Sequence, residues 1–183
     1  MSLEDSELLL IERSKQGDRQ AFEQIVNRYY NSIYQLLYHF LRNAEDAEDL
    51  TQEVFLESYR CLKNFLGKSK FYTWLYRIAT NLGINHIKRK KKFLSLDEMS
   101  PSGASFMPFP SGAMEKEEFY NDFSSALEKL SEDKKLIFLL REVQGLSYQE
   151  ISEVANIKIG TVMSRLSRAR EEMREALEDH YGE

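Results

Sequence analysis

All three prolines of this 183-residue chain lie within residues 93–113, and this clustering divides the chain into two folding units. The same segment holds two glycines and several serines. Such a composition buries too little apolar surface to offset the entropy lost on ordering, which predicts a flexible linker. The sequence therefore predicts an N-terminal domain of residues 1–92 and a C-terminal domain of residues 114–183.

Both domains are predicted to be helical, because apolar residues recur at helical spacing and no alternating strand pattern is present. Asn43 is expected to cap one helix, which carries Glu45 and Asp46 in its first turn. Ser69 is expected to cap a second helix, which runs from Lys70 to Lys92. The predicted fold class is all-α: two small helical domains joined by a flexible linker, the C-terminal one a helix-turn-helix.

Residues 145–170, GLSYQEISEVANIKIGTVMSRLSRAR, predict two short helices around a sharp turn. Ser147 and Glu150 have the spacing of a capping box at the start of the first helix. The second helix is expected to bury one stripe and to leave the opposite face polar. The buried stripe consists of Val162, Leu166 and Ala169, and the polar face of Thr161, Ser164, Arg165 and Arg168.

That polar face suits the DNA major groove, where hydroxyl and guanidinium groups reach base edges. The alternative is an ordinary antiparallel helix pair whose arginines are only solvated.

The net charge of −5 does not indicate a general polyanion binder. Residues 1–92 hold 15 Lys and Arg against 12 Asp and Glu, whereas residues 93–183 hold 10 against 18. Basic residues nevertheless cluster at 88–92 and along 158–170. We expect weak DNA binding by the protein alone and a partner that holds it on DNA.

Several function classes find no support in the sequence. One cysteine and three scattered histidines do not form a metal site, and nothing pairs a nucleophile with a base, so we expect no enzyme, no cofactor and no metal. The acidic N-terminus lacks the features of a secretory signal, and no apolar run approaches bilayer length. The prediction is a cytoplasmic protein without membrane insertion.

The segment FYTWLYRIATN at residues 71–81 is followed on the same predicted helix by five consecutive cations at residues 88–92. Aromatic rings beside cations suit unpaired bases, which stack on rings while the backbone is held electrostatically. The alternative is that most of these rings, Trp74 included, form the buried stripe of a helix. Five cations in a row exceed what the dipole of a helix C-terminus needs.

These segments, together with DAEDLTQEVFLESYRC at residues 46–61, resemble the extracytoplasmic-function (ECF) class of bacterial RNA polymerase sigma factors. The resemblance covers about residues 19–92 and 115–178, with the motifs in the same order. It implies partners in core RNA polymerase and promoter DNA, and an anti-sigma factor, which is often membrane-anchored in this class.

The resemblance implies three sets of site residues. The helix at 46–62 would dock on the clamp helices of the largest polymerase subunit; the alternative, a solvated acidic helix start, accounts for Asp46 but less well for Gln52 and Glu53. The helix at 70–92 would open the minus-ten element, with Asn81 facing a flipped base. The docking residues are Asp46, Asp49, Gln52 and Glu53, and the minus-ten residues are Trp74, Asn81, Lys88, Arg89, Lys90, Lys91 and Lys92.

For the minus-thirty-five element, the resemblance places Ser164, Arg165 and Arg168 on the base-reading face. Arg141 would reach in from an earlier helix, and Tyr148 and Thr161 would contact phosphates.

Two departures from the family pattern bear on base preference. Met163 stands where relatives often carry Lys or Arg, so one contact is expected to be missing. Leu66 and Lys68 replace an Arg-Gly-Asp-like loop pattern, so the preferred flipped base does not follow from the resemblance.

Two other functions stay open at this point. A self-sufficient regulator would bind two half-sites as a symmetric dimer, about one helical turn apart. A sigma factor would instead be a monomer when free and would co-purify with polymerase. An enzyme built on the N-terminal helices would require a cluster of inward polar groups, which the sequence does not offer.

Overall fold

The computed structural model describes the backbone of residues 3–94 and 114–181, and the side chains of residues 6–93 and 121–178. Within those ranges every regular element is a helix, which confirms the all-α prediction. The helices are α1 Leu3–Lys15, α2 Arg19–Leu41, α3 Ala44–Cys61, α4 Phe71–Leu94, α5 Met114–Lys129, α6 Glu132–Phe138, α7 Tyr148–Ala155 and α8 Ile159–Tyr181.

The two ends of α4 differ from the prediction. The helix begins at Phe71, and the Lys70 carbonyl accepts from the Trp74 N–H at 3.2 Å. Lys70, rather than Ser69, therefore occupies the N-cap position. The helix also runs two residues past Lys92, because no proline or glycine follows before residue 101. The rest of the predicted linker, residues 95–113, lies outside the described part of the chain.

In the N-terminal domain, a two-residue turn folds α3 back against α2. Arg42 adopts the left-handed conformation (φ 58°), and its N–H donates to the Tyr38 carbonyl at 2.8 Å. Asn43 accepts from the Asp46 N–H at 2.8 Å, as its predicted role as a helix cap requires. α3 ends at Cys61 and continues as a single 3-10 turn, Leu62–Asn64.

The core of this domain lies between α2, α3 and α4, and α1 packs against α2. Apolar residues at helical spacing form one stripe on each helix, and these stripes pack together in the core. This packing supplies most of the stabilisation of such helices. Its central members are Ile25, Ile33, Leu36, Leu37, Leu50, Val54, Leu75 and Ala79.

In the C-terminal domain, α5 and α6 pack against α8, and α7 folds over the same core. α6 passes into a wider π turn, Leu139–Val143, which ends before Gly145. Gly145 has φ 73°, a conformation that favours glycine, and this allows the chain to reverse into α7. The buried side chains include Leu127, Ile137, Leu140, Ile151, Val162 and Leu166.

The two domains touch each other. α7 packs along the first half of α4, and α2 lies against the π turn. At one edge of this contact, the His39 ring of α2 meets the Phe123 ring of α5 edge-on, with centroids 6.4 Å apart. His39 is only 7% exposed.

The burial of His39 predicts a pH-dependent stability. Burial lowers the pKa of His39 to about 4, and the neighbouring Arg42 charge acts in the same direction. Between that value and 6.5 the unfolded chain binds the proton and the folded protein does not, so stability falls as the pH falls through this window. At about pH 5 the loss should be about 2 kcal/mol.

Urea unfolding of the wild type and of His39→Gln at about pH 7 and about pH 5 checks this expectation. The glutamine variant should lose less stability than the wild type between the two pH values. An equal loss in both proteins would show that His39 is not the group responsible.

Candidate nucleic-acid interface

The residues 145–170 form the predicted pair of helices around a turn. Ser147 and Glu150 make the full capping box: the Ser147 hydroxyl accepts from the Glu150 N–H, and the Glu150 carboxylate accepts from the Ser147 N–H. Asn156 ends α7 in the left-handed conformation (φ 52°). The Ser152 hydroxyl donates to the Ile157 carbonyl at 2.6 Å and so braces the turn.

The structure buries the predicted stripe of α8 and exposes much of the opposite face. Val162, Leu166 and Ala169 are at most 1% exposed. Ser164 and Arg168 are exposed, and Thr161 is half-buried. The first three turns of α8 therefore expose polar side chains, together with the apolar Ile159 and Met163, which are 44% and 53% exposed.

The two arginines on that surface differ in whether they are held in an ion pair. Arg165 forms an ion pair with Asp133 of α6 at 2.7 Å, so it must leave a partner before it contacts DNA. Arg168 makes no ion pair with any residue whose side chain the structure describes. Of the two guanidinium groups, that of Arg168 is therefore the one without a partner to leave among the described side chains.

Arg141 and Tyr148 form one unit beside the start of α7. The Arg141 guanidinium donates to the Leu146 carbonyl at 2.8 Å and lies over the Tyr148 ring, 5.1 Å from its centroid. This cation–π contact fixes both side chains. Arg141 thus stabilises the turn before α7, and its side chain remains partly exposed there.

The aromatic residues of α4 are mainly packing residues, as the plainer alternative stated. Trp74 is half-buried between Phe65 and Phe71, with ring centroids 5.3 and 5.5 Å away. Phe71 and Leu75 are buried in the core. Asn81, in contrast, is exposed on the outer face of α4.

The cations at the end of α4 are all exposed, and Lys90 and Lys91 each lie beside an acidic residue. Lys90 lies 3.1 Å from Asp46 of α3, and Lys91 lies 2.6 Å from Glu132 of α6. Lys88 and Arg89 have no ion-pair partner among the described side chains.

The predicted docking residues of α3 separate into two groups. Asp46 is engaged within its own domain, where its carboxylate also lies 3.2 Å from His86 Nε2. Burial opposes ionisation of this carboxylate, but the hydrogen bond from Lys90 and the nearby His86 keep the pKa of Asp46 below its usual value. Asp49, Gln52 and Glu53 stand exposed on the outer face.

The sequence reasoning missed an apolar part of this face. Leu56 is 60% exposed and follows Gln52 by one turn, and Tyr59 is 38% exposed. Helical spacing from Gln52 and Glu53 places both beside the polar residues. The sequence did carry a signal for this apolar part, because Leu56 falls at helical spacing among polar residues of the outer face.

Comparison with known proteins gives the family. The profile of Sigma-70 region 2 matches residues 25–93, and that of Sigma-70, region 4 matches residues 120–173. The RNA polymerase sigma-H factor of Pseudomonas aeruginosa is 36% identical, over 97% of each chain. The ECF RNA polymerase sigma factor SigW of Bacillus subtilis is 37% identical, over 92% of this chain and 95% of its own.

The chain belongs to the ECF class of RNA polymerase sigma factors. The ECF RNA polymerase sigma-E factor of Escherichia coli is likewise 37% identical, over 93% of this chain and 94% of its own. As a sigma factor, the protein binds core RNA polymerase and directs initiation of transcription at promoters.

Two solved structures share the fold of this sigma factor. CnrH, solved with the cytosolic domain of CnrY, has a TM-score of 0.72 and 22% identity, and covers 95% of this chain and 98% of its own. RpoE from Bartonella quintana, solved with the anti-sigma factor NepR, has a TM-score of 0.77 and 23% identity, with 86% and 96% covered.

The region 2 match ends within α4, and the region 4 match includes all of α6 and α7 and much of α8. Among the described helices, none has the length and apolar character required to span a bilayer.

Proposed function

We propose that this ECF sigma factor divides promoter recognition among three exposed surfaces. The outer face of α3 binds core polymerase, α4 opens and holds the minus-ten element, and α8 reads the minus-thirty-five element. The observation that carries this division is the exposed face of α8, where Arg168 has no ion pair with any described side chain and lies opposite a fully buried stripe.

The docking surface on α3 combines charge with an apolar centre. Asp49, Gln52 and Glu53 supply polar contacts, and Leu56 supplies apolar area that becomes buried on binding. Such a mixture suits an interface, because apolar burial gives affinity while charge sets orientation and encounter rate. Asp46 positions α3 against α4 through Lys90 and His86, and so acts on docking indirectly.

The minus-ten surface on α4 offers an amide and a row of cations. Asn81 can donate to and accept from the edge of an unpaired base. Lys88 and Arg89, which have no ion-pair partner among the described side chains, would hold phosphates first. Lys90, Lys91 and Lys92 would extend that phosphate contact, and Trp74 supports the loop before α4.

The minus-thirty-five surface is formed by α8 and the start of α7. Ser164 and Arg168 face the major groove, and Arg165 joins them when it leaves Asp133. Thr161, Tyr148 and Arg141 would set the register through phosphate contacts.

The remaining assignments concern the setting in which the protein works. We propose that it is a monomer when free and acts in the cytoplasm, where polymerase transcribes DNA. An anti-sigma factor is a further partner, a proposal that rests on the complexes in which CnrH and Bartonella quintana RpoE were solved.

One set of variants tests the three surfaces together. Asp49→Lys, Asn81→Ala and Arg168→Ala are each measured for core polymerase binding, promoter binding by holoenzyme and strand opening. The division of work predicts that each variant fails first at a different step. Identical failure of all three at polymerase binding would refute the division.

Asn81→Ala is expected to slow strand opening while leaving polymerase binding and initial promoter binding near the wild-type level. The reason is that an exposed amide at this position contacts the base only after it leaves the duplex. Permanganate footprinting measures the opened thymines, and their reactivity should fall about tenfold. Asn85→Ala, an exposed asparagine one turn further along α4, serves as the matched control. Normal footprints for Asn81→Ala would remove this residue from the minus-ten site.

A further inference from the structure

Two large apolar side chains are exposed on the first two turns of α8. Ile159 is 44% exposed, and Met163, one turn later, is 53% exposed. They are the only large apolar side chains that stand exposed among residues 121–178, the part of the C-terminal domain whose side chains the structure describes. Exposed apolar surface in this domain is therefore confined to the helix proposed to read the minus-thirty-five element.

These two side chains adjoin the polar residues of the reading surface. A spacing of four residues makes them neighbours on the helix, with Cβ atoms about 5–6 Å apart. Met163 directly precedes Ser164, and Arg168 follows a little more than one turn later. In helix-turn-helix proteins the first turns of the second helix reach the base edges. Ile159 and Met163 thus lie at the end of α8 that enters the major groove.

The charge around the pair favours DNA as the molecule that covers it. Residues 158–170 contain four cations and no carboxylate, and the first acidic residue of α8 is Glu171. Lys158 and Arg168 form no ion pair with any described side chain. A second copy of the chain would bring these like charges together, which opposes association through this face. DNA phosphates complement the same charges.

The glycine between the two apolar residues leaves the adjacent surface bare. A Cβ built on Gly160 would meet no atom within 4 Å apart from its own neighbours in the helix, and its φ lies outside the left-handed region. Neither packing nor backbone conformation within the chain therefore requires glycine here, and alanine would favour the helix more. Glycine does suit the close approach of another molecule to the backbone. A bare first turn allows α8 to lie close to base edges.

The chemistry of the major groove restricts what an apolar pair can recognise there. Thymine alone among the four bases presents an apolar group on that edge, its C5-methyl. The polar base edges would lose hydrogen bonds to water against isoleucine or methionine and gain no partner. A methionine side chain is flexible and polarisable, so it adapts its shape to a methyl group. An apolar pair in this position therefore favours thymine over the other bases.

We propose that Ile159 and Met163 form an apolar contact surface that reads thymine methyl groups in the minus-thirty-five element. The proposal rests on the proposed function of α8 and adds a preference for A·T pairs beside the base pair that Arg168 contacts. An apolar contact thus replaces the polar contact that a methionine does not make. Because each contacted methyl group becomes buried, its removal should weaken promoter binding about fourfold.

Deoxyuridine in place of thymidine is the probe, because it removes only this methyl group and keeps the base pair. The promoter is taken from the mapped 5′ ends of transcripts made by the holoenzyme. Each thymine of its minus-thirty-five element, on either strand, is replaced in turn. Equilibrium binding of the wild-type holoenzyme should fall about fourfold at one or two of these thymines and stay unchanged at the others.

Variants at the two exposed positions show whether the effect comes from the apolar pair. Met163→Gln and Ile159→Gln should each abolish the uracil effect at one or more of these thymines. Met163→Leu keeps an apolar side chain and should keep a difference of about fourfold. Leu9→Gln makes the same kind of change at a 51% exposed position on α1, and this matched control should behave as the wild type. All four variants should bind core polymerase normally.

Equal binding of the thymine and uracil promoters by the wild type at every position would overturn the methyl contact, as would a uracil effect that persists in both glutamine variants. Arg168→Ala, measured on the same promoter, separates this failure from failure of the proposed function. If Arg168→Ala loses discrimination at one base pair while uracil has no effect, only the methyl contact is wrong. If base changes throughout the minus-thirty-five element leave wild-type binding unchanged, the proposed function of α8 itself fails.

Discussion

Asp49→Lys is expected to reduce binding of the sigma factor to core RNA polymerase by at least about tenfold, because it reverses a charge on the proposed docking surface of α3. Asp49 is exposed on α3, one turn before Gln52 and Glu53, and contributes nothing to the core of the domain. The measurement is co-purification of tagged sigma factor with core enzyme at several salt concentrations. The DNA-binding surfaces remain intact in this variant, so transcription should return at a large excess of protein.

The control for this experiment is Glu23→Lys, which makes the same charge change at an exposed position on α2. It should bind core polymerase as the wild type does. If Asp49→Lys co-purifies normally, or if Glu23→Lys is lost to the same extent, the outer face of α3 is not the docking surface.

Arg168→Ala is expected to lower promoter-dependent transcription by about tenfold to a hundredfold, which corresponds to about 1–3 kcal/mol for a well-placed contact between arginine and guanine. Core polymerase binding should not change, since Arg168 lies in the other domain and makes no ion pair with the described residues. Transcription from promoters altered at single minus-thirty-five positions locates the contact. The variant should lose discrimination at one base pair and keep it at the others.

Arg174→Ala is the matched control on the same helix. Arg174 pairs with Glu171 and Glu178 at 2.5 and 2.8 Å, so it belongs to the solvated part of α8 beyond the reading face. Its removal should leave promoter selectivity unchanged. Equal losses in the two variants would mean that α8 attracts DNA only by its charge.

Local features of the fold were predictable because they depend on neighbours in sequence. The Ser147 and Glu150 capping box and the Asn43 cap follow from spacing alone, and the structure confirms both. The buried stripe of α8 follows from helical periodicity in the same way. The two ends of α4 differed: Lys70 and Ser69 both precede its first turn and side-chain identity does not decide between them, and the helix continues past Lys92 to Leu94.

The paired states of the charged residues were not predictable, because they depend on residues distant in sequence. Asp46 looked like a docking residue until Lys90, 44 positions later, was found against it. Arg165 looked as free as Arg168 until Asp133 was placed beside it.

Sequencing of the 5′ ends of transcripts made by purified core polymerase with this protein tests the central claim most directly. Core enzyme alone should initiate without sequence preference, and addition of the protein should produce discrete start sites that share two upstream elements. Absence of shared elements would contradict the account. So would tight binding of the free protein, as a symmetric dimer, to a palindrome.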